Sequence, residues 1–203
     1  MEQKLKIGIT QGDINGISYE VILKALADQH IQEHCTPIIY GSAKAASFHK
    51  KSLEIDSYTI SVSRSAQDVN PHKISIINTS EEEPKVDLGQ ATPEAGKSAF
   101  DALEAATKDL LQGNIDAIVT APINKASIQS EQFHFPGHTE YLESKTDNES
   151  LMILACRRWM QTHAWHSSHC LMTAMRRSLS SSPPCCRWTS GMNTLLKQRW
   201  QMR

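Results

Sequence analysis

The sequence predicts an α/β protein built on a mainly parallel sheet covered by helices. Short apolar runs of strand length alternate with stretches of helical spacing, and the links between them are short. Polar, glycine-bearing segments follow the strand ends, which is where open α/β sheets collect ligands.

Lys6 to Thr10 reads as the first strand, and Gln11 to Ser18 as a turn of small and polar residues. A helix is expected from about Tyr19 to Asp28, with Val21, Ile22, Ala25 and Leu26 on one face. Pro37 to Tyr40 is a buried strand, and Gly41-Ser42 turns into a second helix near Ala43 to Lys50. Weaker strand signals lie at Tyr58 to Val62 and Lys73 to Ile77, followed by a polar surface loop from Asn78 to Gly89. The strongest helix runs from about Thr92 to Leu111. Pro93 suits its first turn and Glu94 its positive dipole end. Ala99, Ala102, Leu103, Ala106 and Leu110 form its buried stripe, and Asp101, Glu104 and Lys108 face water. Gly113 ends it. Ile115 to Thr120 is the next strand, and the chain turns at Ala121-Pro122.

At 203 residues and a net charge of -1, the chain gives no reason to invoke nucleic acid or a membrane surface. No apolar run approaches the roughly 18 residues of a membrane span, and Met1 to Lys6 leads into a strand rather than a signal peptide. A cytoplasmic protein is the expectation.

The averages hide a break. All 22 acidic residues lie before Ala155, while the segment from Ala155 to Arg203 holds all four Trp and four of the five Cys. That tail also carries seven Arg and Lys197, 8 of the 21 basic residues, so residues 1 to 154 keep 13 against 22 acids, a net of -9. A folded domain rarely changes composition so abruptly.

Three polar segments sit at or after strand ends. In Gln11 to Ser18 the glycines permit tight turns, and free N–H groups at a helix start can hold an anion. Its spacing matches neither common phosphate-loop pattern, and it is equally a plain strand-to-helix turn. In Thr120 to Lys125, Lys125 follows a buried strand on a turn stiffened by Pro122. It can reach a phosphate, carry a proton or simply face solvent. In Phe135 to Leu142, His138 can donate to a phosphate or carboxylate or exchange a proton near neutral pH, beside the hydroxyl of Thr139 and the carboxylate of Glu140.

Taken together and in order, Ile9-Thr10-Gln11-Gly12-Asp13-Ile14-Asn15-Gly16-Ile17, Ala95-Gly96-Lys97, the run from Asp116 to Lys125 and Gly137-His138-Thr139-Glu140 resemble the 4-hydroxythreonine-4-phosphate dehydrogenase family of pyridoxal phosphate biosynthesis. The resemblance covers residues 5 to 154. Ile14, Asn15, Ser18 and Tyr19 depart from the family's usual Gly-Asp-Pro-Ala-Gly-Ile-Gly-Pro-Glu loop.

The resemblance implies an isocitrate/isopropylmalate-dehydrogenase-like α/β/α fold, incomplete in this chain, and a homodimer in the intact family. It implies NAD-dependent oxidation and decarboxylation of 4-phosphooxy-L-threonine to 3-amino-2-oxopropyl phosphate, with a divalent metal (Zn, Mg or Co) polarising the alcohol oxygen. His138 and Thr139 match substrate contacts, while Asp13, Asn124 and Lys125 are candidates for the pocket wall. The family's three metal-binding His, its phosphate-binding residues and most of its NAD site belong to a later part of the chain without counterpart here. A dehydrogenase of threonate or erythronate phosphate is the neighbouring alternative.

Residues 155 to 203 admit three readings. His163, His166, His169, Cys170, Cys185 and Cys186 are zinc-ligand types at no common zinc spacing. The basic, Trp-bearing stretch could bind nucleic acid without catalysis, though no folded module accompanies it. Translation out of frame is the favoured reading. Thr162 to His169 can be back-translated and read two nucleotides later as Arg-Val-Ala-Leu-Val-Thr, the strand that leads to the family's first metal-binding His. Residues 1 to 154 are then the amino-terminal part of the dehydrogenase, in a truncated and inactive chain. Weak helical or disordered structure is expected after about Leu154, and exposed apolar surface before it.

Overall fold

The computed structural model describes residues 4–80 and 84–146, together with the backbone of 153–155 and 170–172. Among these residues five strands form one sheet: β1 (Leu5–Thr10), β2 (Cys35–Gly41), β3 (Ile60–Ser63), β4 (Ile74–Asn78) and β5 (Ala117–Thr120). Their order is β3-β4-β2-β1-β5, and every neighbouring pair is parallel. The predicted α/β class with a parallel sheet is the observed one.

Helices α1 (Ser18–Leu26) and α3 (Ala43–Ser52) cover one face. There Ile9, Ile39 and Ile76 stand in register across β1, β2 and β4, and they pack with Tyr19, Ile22, Leu23 and Leu26 of α1 and Ala45 and Ala46 of α3. Helix α4 (Pro93–Gln112) covers the other face, where Ile38, Tyr40 and Ile77 meet Ala102 and Ala106. Helix α5 (His138–Lys145) leans on α4 through an aromatic cluster of Phe100, Phe133, Phe135 and Tyr141. The sheet is therefore sandwiched between helices that bury its central strands through residues of alternating register, while Val62 and Val119 on the edge strands stay exposed.

The helix ends follow their sequence signals. Thr92 Oγ1 accepts from Ala95 N at 3.2 Å, which places Thr92 as the cap rather than the first helical residue of α4. Gly113 closes α4 at φ 76°, a conformation that favours glycine. Ser42 caps α3 in the same way, its Oγ accepting from Ala45 N at 3.2 Å.

The structure departs from expectation in several places. The helix expected to Asp28 ends at Leu26, because Asp28 accepts from His30 N at 3.0 Å and starts a short α2 (Gln29–His34). Its buried stripe is Tyr19, Ile22, Leu23 and Leu26, while Val21 and Ala25 are exposed. A four-residue apolar window fits two neighbouring helix faces, and Tyr19 and Leu23 decide between them. Leu110 is half-buried, and β5 begins at Ala117 rather than Ile115. The segment around His138, read without secondary structure, opens α5. Beyond Leu154 the expectation of weak helix or disorder is corrected at one point, since β6 (Ile153–Ala155) and β7 (Cys170–Met172) pair antiparallel. His163, His166, His169, Cys185 and Cys186 lie outside the described residues, and Cys170 is described in its backbone alone.

Candidate functional site

The loops after β1 and β5 leave adjacent parallel strands toward opposite faces. The first runs into α1 on one side, and the second reaches α5 on the α4 side. Divergence of this kind at the carboxyl end of a sheet marks the place where open α/β sheets hold ligands. Asp13 lies on the loop after β1, and Asn124 and Lys125 on the loop after β5.

The two loops are tied together. Asp13 N donates to Pro122 O at 2.9 Å and Ser18 Oγ donates to the same oxygen at 2.7 Å. Gly12 makes this approach possible: its φ is +64°, and a Cβ there would lie 2.3 Å from Pro122 O. The Asp13 carboxylate turns back on its own loop, with Oδ1 accepting from Asn15 N at 3.0 Å.

The four residues that depart from the family loop are all buried and all used. Ile14 enters the core beneath α1. Asn15 clamps the segment before α4: its Oδ1 accepts from Asp87 N at 2.8 Å, and its Nδ2 donates to Gln90 O at 2.9 Å and Thr92 Oγ1 at 3.2 Å. Ser18 holds Pro122. The Tyr19 hydroxyl lies 2.8 Å from Gln11 Oε1 and 3.0 Å from Ser42 O, both within reach of its one proton.

Gln11 is the residue that sequence reasoning passed over. It is fully buried at the end of β1. Its Nε2 donates to Ser98 O at 2.9 Å and Ser98 Oγ at 2.6 Å, and its Oε1 also accepts from Ser42 N at 2.8 Å. One amide thus joins β1, α1, the cap of α3 and α4. Its position directly after a strand, before a glycine, was the available signal.

On the loop after β5, Asn124 Oδ1 accepts from Ala126 N at 3.0 Å and Ser127 N at 3.2 Å, folding its own turn. That turn lies against α4 at Gly96, where a Cβ would come within 1.8 Å of Ser127 O. Lys125 is exposed. His138 opens α5, whose Tyr141 and Leu142 are buried among Phe100 and Phe133, so the aromatic cluster fixes the ring's mount. Burial holds the His138 imidazole down at about 4; the Glu140 carboxylate opposes this and the Lys125 ammonium adds to it. The ring is neutral at neutral pH. Its Nε2 is buried without a hydrogen-bond partner among the described residues. Thr139 follows it, half-buried, in the first turn of α5.

A groove of about 630 Å³ lies elsewhere, between α4 and α5, lined by Thr79, Asp101, Glu104, Thr107, Lys108 and Tyr141. It contains none of the five residues picked out from the sequence. Among the described residues no group of three His, Cys, Asp or Glu could hold a metal ion, and no helix is long and apolar enough to cross a membrane.

Residues 33–183 match the family described as pyridoxal phosphate biosynthetic protein PdxA. A 4-hydroxythreonine-4-phosphate dehydrogenase of Bacteroides thetaiotaomicron is 52% identical over 155 residues, covering 75% of this chain and 42% of that protein. A protein of Oceanobacillus iheyensis, provisionally named a D-threonate 4-phosphate dehydrogenase, is 32% identical over 159 residues, covering 76% of this chain and 47% of its own length. The crystal structure of a 4-hydroxythreonine-4-phosphate dehydrogenase from Burkholderia phymatum superposes with a TM-score of 0.68 at 30% identity, covering 76% of this chain and 48% of that one. The chain thus spans about half the length of these relatives.

Proposed function

Because this chain belongs to the PdxA family and shares its isocitrate/isopropylmalate-dehydrogenase-like fold, we propose that it carries the substrate-contacting half of a dehydrogenase for a small phosphorylated hydroxy acid. The preferred substrate is 4-phosphooxy-L-threonine. Its secondary alcohol loses a hydride to NAD and a proton. The resulting 3-keto acid loses carbon dioxide, and protonation of the enolate gives 3-amino-2-oxopropyl phosphate.

The observation that carries this reading is the buried Nε2 of a neutral His138, without a partner among the described residues. A buried polar atom without a partner costs about 1–3 kcal/mol unless something fills the position, and a substrate oxygen is a suitable partner. The neutral ring gives or takes one hydrogen bond at Nε2 according to its tautomer. Thr139 adds a hydroxyl one residue on. Lys125, near enough for its charge to lower His138, supplies a cation for the phosphate or carboxylate. Asp13 and Asn124 hold their own loops rather than reaching from one to the other.

NAD supplies the hydride acceptor when bound. The described residues do not fit the family's divalent metal, so no step is assigned to it here. We read residues 155 to 203 as the product of a shifted frame, and the 203-residue chain as catalytically silent on its own. The family match runs to residue 183, past the composition break, so the frame must be read from the DNA across Ser150 to Ser180.

The relative named for D-threonate 4-phosphate favours a second reading, in which the substrate bears a hydroxyl where 4-phosphooxy-L-threonine bears its amino group. One experiment separates them. Residues after Leu154 are replaced by the corresponding part of the Bacteroides thetaiotaomicron protein, and NADH and carbon dioxide are followed with each substrate. Equal amounts of both products from 4-phosphooxy-L-threonine, and a slower reaction with D-threonate 4-phosphate, support the first reading. The opposite preference supports the second, and turnover of neither contradicts both.

A further inference from the structure

His49 lies near the carboxyl end of α3 and is only 6% exposed. Its ring lies on the Tyr19 ring, with centroids 5.2 Å apart and planes 24° from parallel, and Phe48 meets it edge-on. Its Nε2 is 2.7 Å from Ile14 O. A carbonyl oxygen only accepts, so Nε2 carries the proton and donates. Helix α3 is thus pinned twice to the end of β1 and its loop. Ser42 N at its cap donates to Gln11 Oε1 at 2.8 Å, and His49 holds Ile14. A ring that only filled space beside Tyr19 would need no donor.

The contact falls on one particular peptide. The Ile14–Asn15 unit gives its C=O to His49 and its N–H to Asp13 Oδ1 at 3.0 Å. A peptide is planar, so holding its oxygen fixes where its N–H points. That N–H in turn sets the Asp13 carboxylate. The backbone on either side is fixed as well: Asp13 N donates to Pro122 O at 2.9 Å, and Asn15 O accepts from Gly89 N at 2.8 Å. Asp13 is half-buried, and its Oδ2 has no hydrogen-bond partner among the described residues. This oxygen sits over Gly16, where a Cβ would lie 3.0 Å from it. One carboxylate oxygen is braced and the other is left open, on the loop where open α/β sheets hold ligands. A charged acceptor held in this way forms a strong hydrogen bond with a donor on a ligand.

We propose that His49 is a positioning residue for the substrate site: through the Ile14–Asn15 peptide it holds the Asp13 carboxylate so that Oδ2 accepts a hydrogen bond from a hydroxyl or ammonium of the substrate. This rests on the phosphorylated hydroxy-acid reading given above. It adds to that reading an anionic acceptor, which His138, Thr139 and Lys125 do not supply.

Two measurements test it. In the 203-residue chain, NMR should show His49 as the Nε2–H tautomer with a slowly exchanging proton. His49→Phe, which keeps a ring against Tyr19, should move the Asn15 amide resonance. The Nδ1–H tautomer, or an Asn15 amide that stays in place, overturns the proposal. The second measurement uses the protein completed with the relative's carboxy-terminal half. There His49→Phe should lower kcat/KM about tenfold, while His49→Gln, which can still donate to Ile14 O, stays within about threefold of wild type. On an Asp13→Asn background, His49→Phe should cost no more than about twofold. The same loss with and without the Asp13 carboxylate means that His49 only packs, and overturns the proposal, as does full activity of His49→Phe. If His49→Phe does not fold, His49→Asn takes its place in the cycle, since its shorter amide leaves Ile14 O without a donor. An Asp13→Asn loss confined to 4-phosphooxy-L-threonine marks the ammonium as the group that Asp13 holds, and an equal loss with D-threonate 4-phosphate marks a hydroxyl. Turnover of neither substrate by the completed wild type defeats the activity reading instead, and the NMR measurement then decides the role of His49.

Discussion

Replacing His138 by Gln should remove a pH dependence from the stability of this protein, and its size follows from the structure. Burial lowers the imidazole from an ordinary 6.5 to about 4. The unfolded chain therefore binds more protons than the folded chain between these two values. Stability is fully present above pH 6.5 and is lost as the pH falls through the window toward 4. At about pH 5 the unfolded ring is nearly all protonated and the folded ring nearly all neutral, a difference of about 2 kcal/mol from this one group. Urea midpoints of wild type and His138→Gln, compared at about pH 7.5 and pH 5, should show that difference. The imidazole proton resonance gives the microscopic check. His138 should titrate near 4, while the fully exposed His30, raised by Glu33 at 3.2 Å, titrates above its ordinary value in the same spectra. A His138 resonance that titrates near 6.5 would refute the burial argument, and with it the claim that a neutral ring awaits a ligand.

Gln11→Ala should cost about 2–4 kcal/mol, since it strands Ser42 N and leaves a small void, whereas Tyr19→Phe should cost only about 1 kcal/mol. Similar urea midpoints for the two would remove Gln11 from its central place. Gly96→Ala should destabilise by more than about 2 kcal/mol, because the Ser127 carbonyl lies in the way. Gly89→Ala meets nothing and should cost only the roughly 1 kcal/mol of its left-handed backbone at φ +76°. Equal midpoints for these two glycine variants would mean that the turn after Asn124 yields freely to α4.

The fold was legible wherever residue type and period agreed. The apolar run around Ile38 and Ile39 could only be a buried strand, and Thr92-Pro93 with Gly113 bracketed α4 from both ends. The face of α1 was not legible, because Val21, Ile22, Ala25 and Leu26 satisfy helical spacing as well as the true stripe does. Helix α5 was hidden because its start has no side-chain cap at Gly137 and its burial rests on contacts with Phe100 and Phe133, distant in sequence. Lys125, His138 and Thr139 were picked out as residue types in polar segments, and Asp13 and Asn124 entered as pocket candidates through the family resemblance. Asn124 folds its own turn through local bonds that its residue type permits without requiring, while the lack of a partner for His138 Nε2 among the described residues depends on how α5 packs and cannot be read from the pattern.

The central claim, that His138 meets the substrate, is tested most directly by kcat and KM of His138→Gln in the protein completed with the relative's carboxy-terminal half. The account predicts a fall of about a hundredfold or more in kcat/KM, the loss of about 3 kcal/mol that removing one aligned donor or acceptor in a closed site produces, with urea stability at neutral pH nearly unchanged. Full activity in that variant would contradict it.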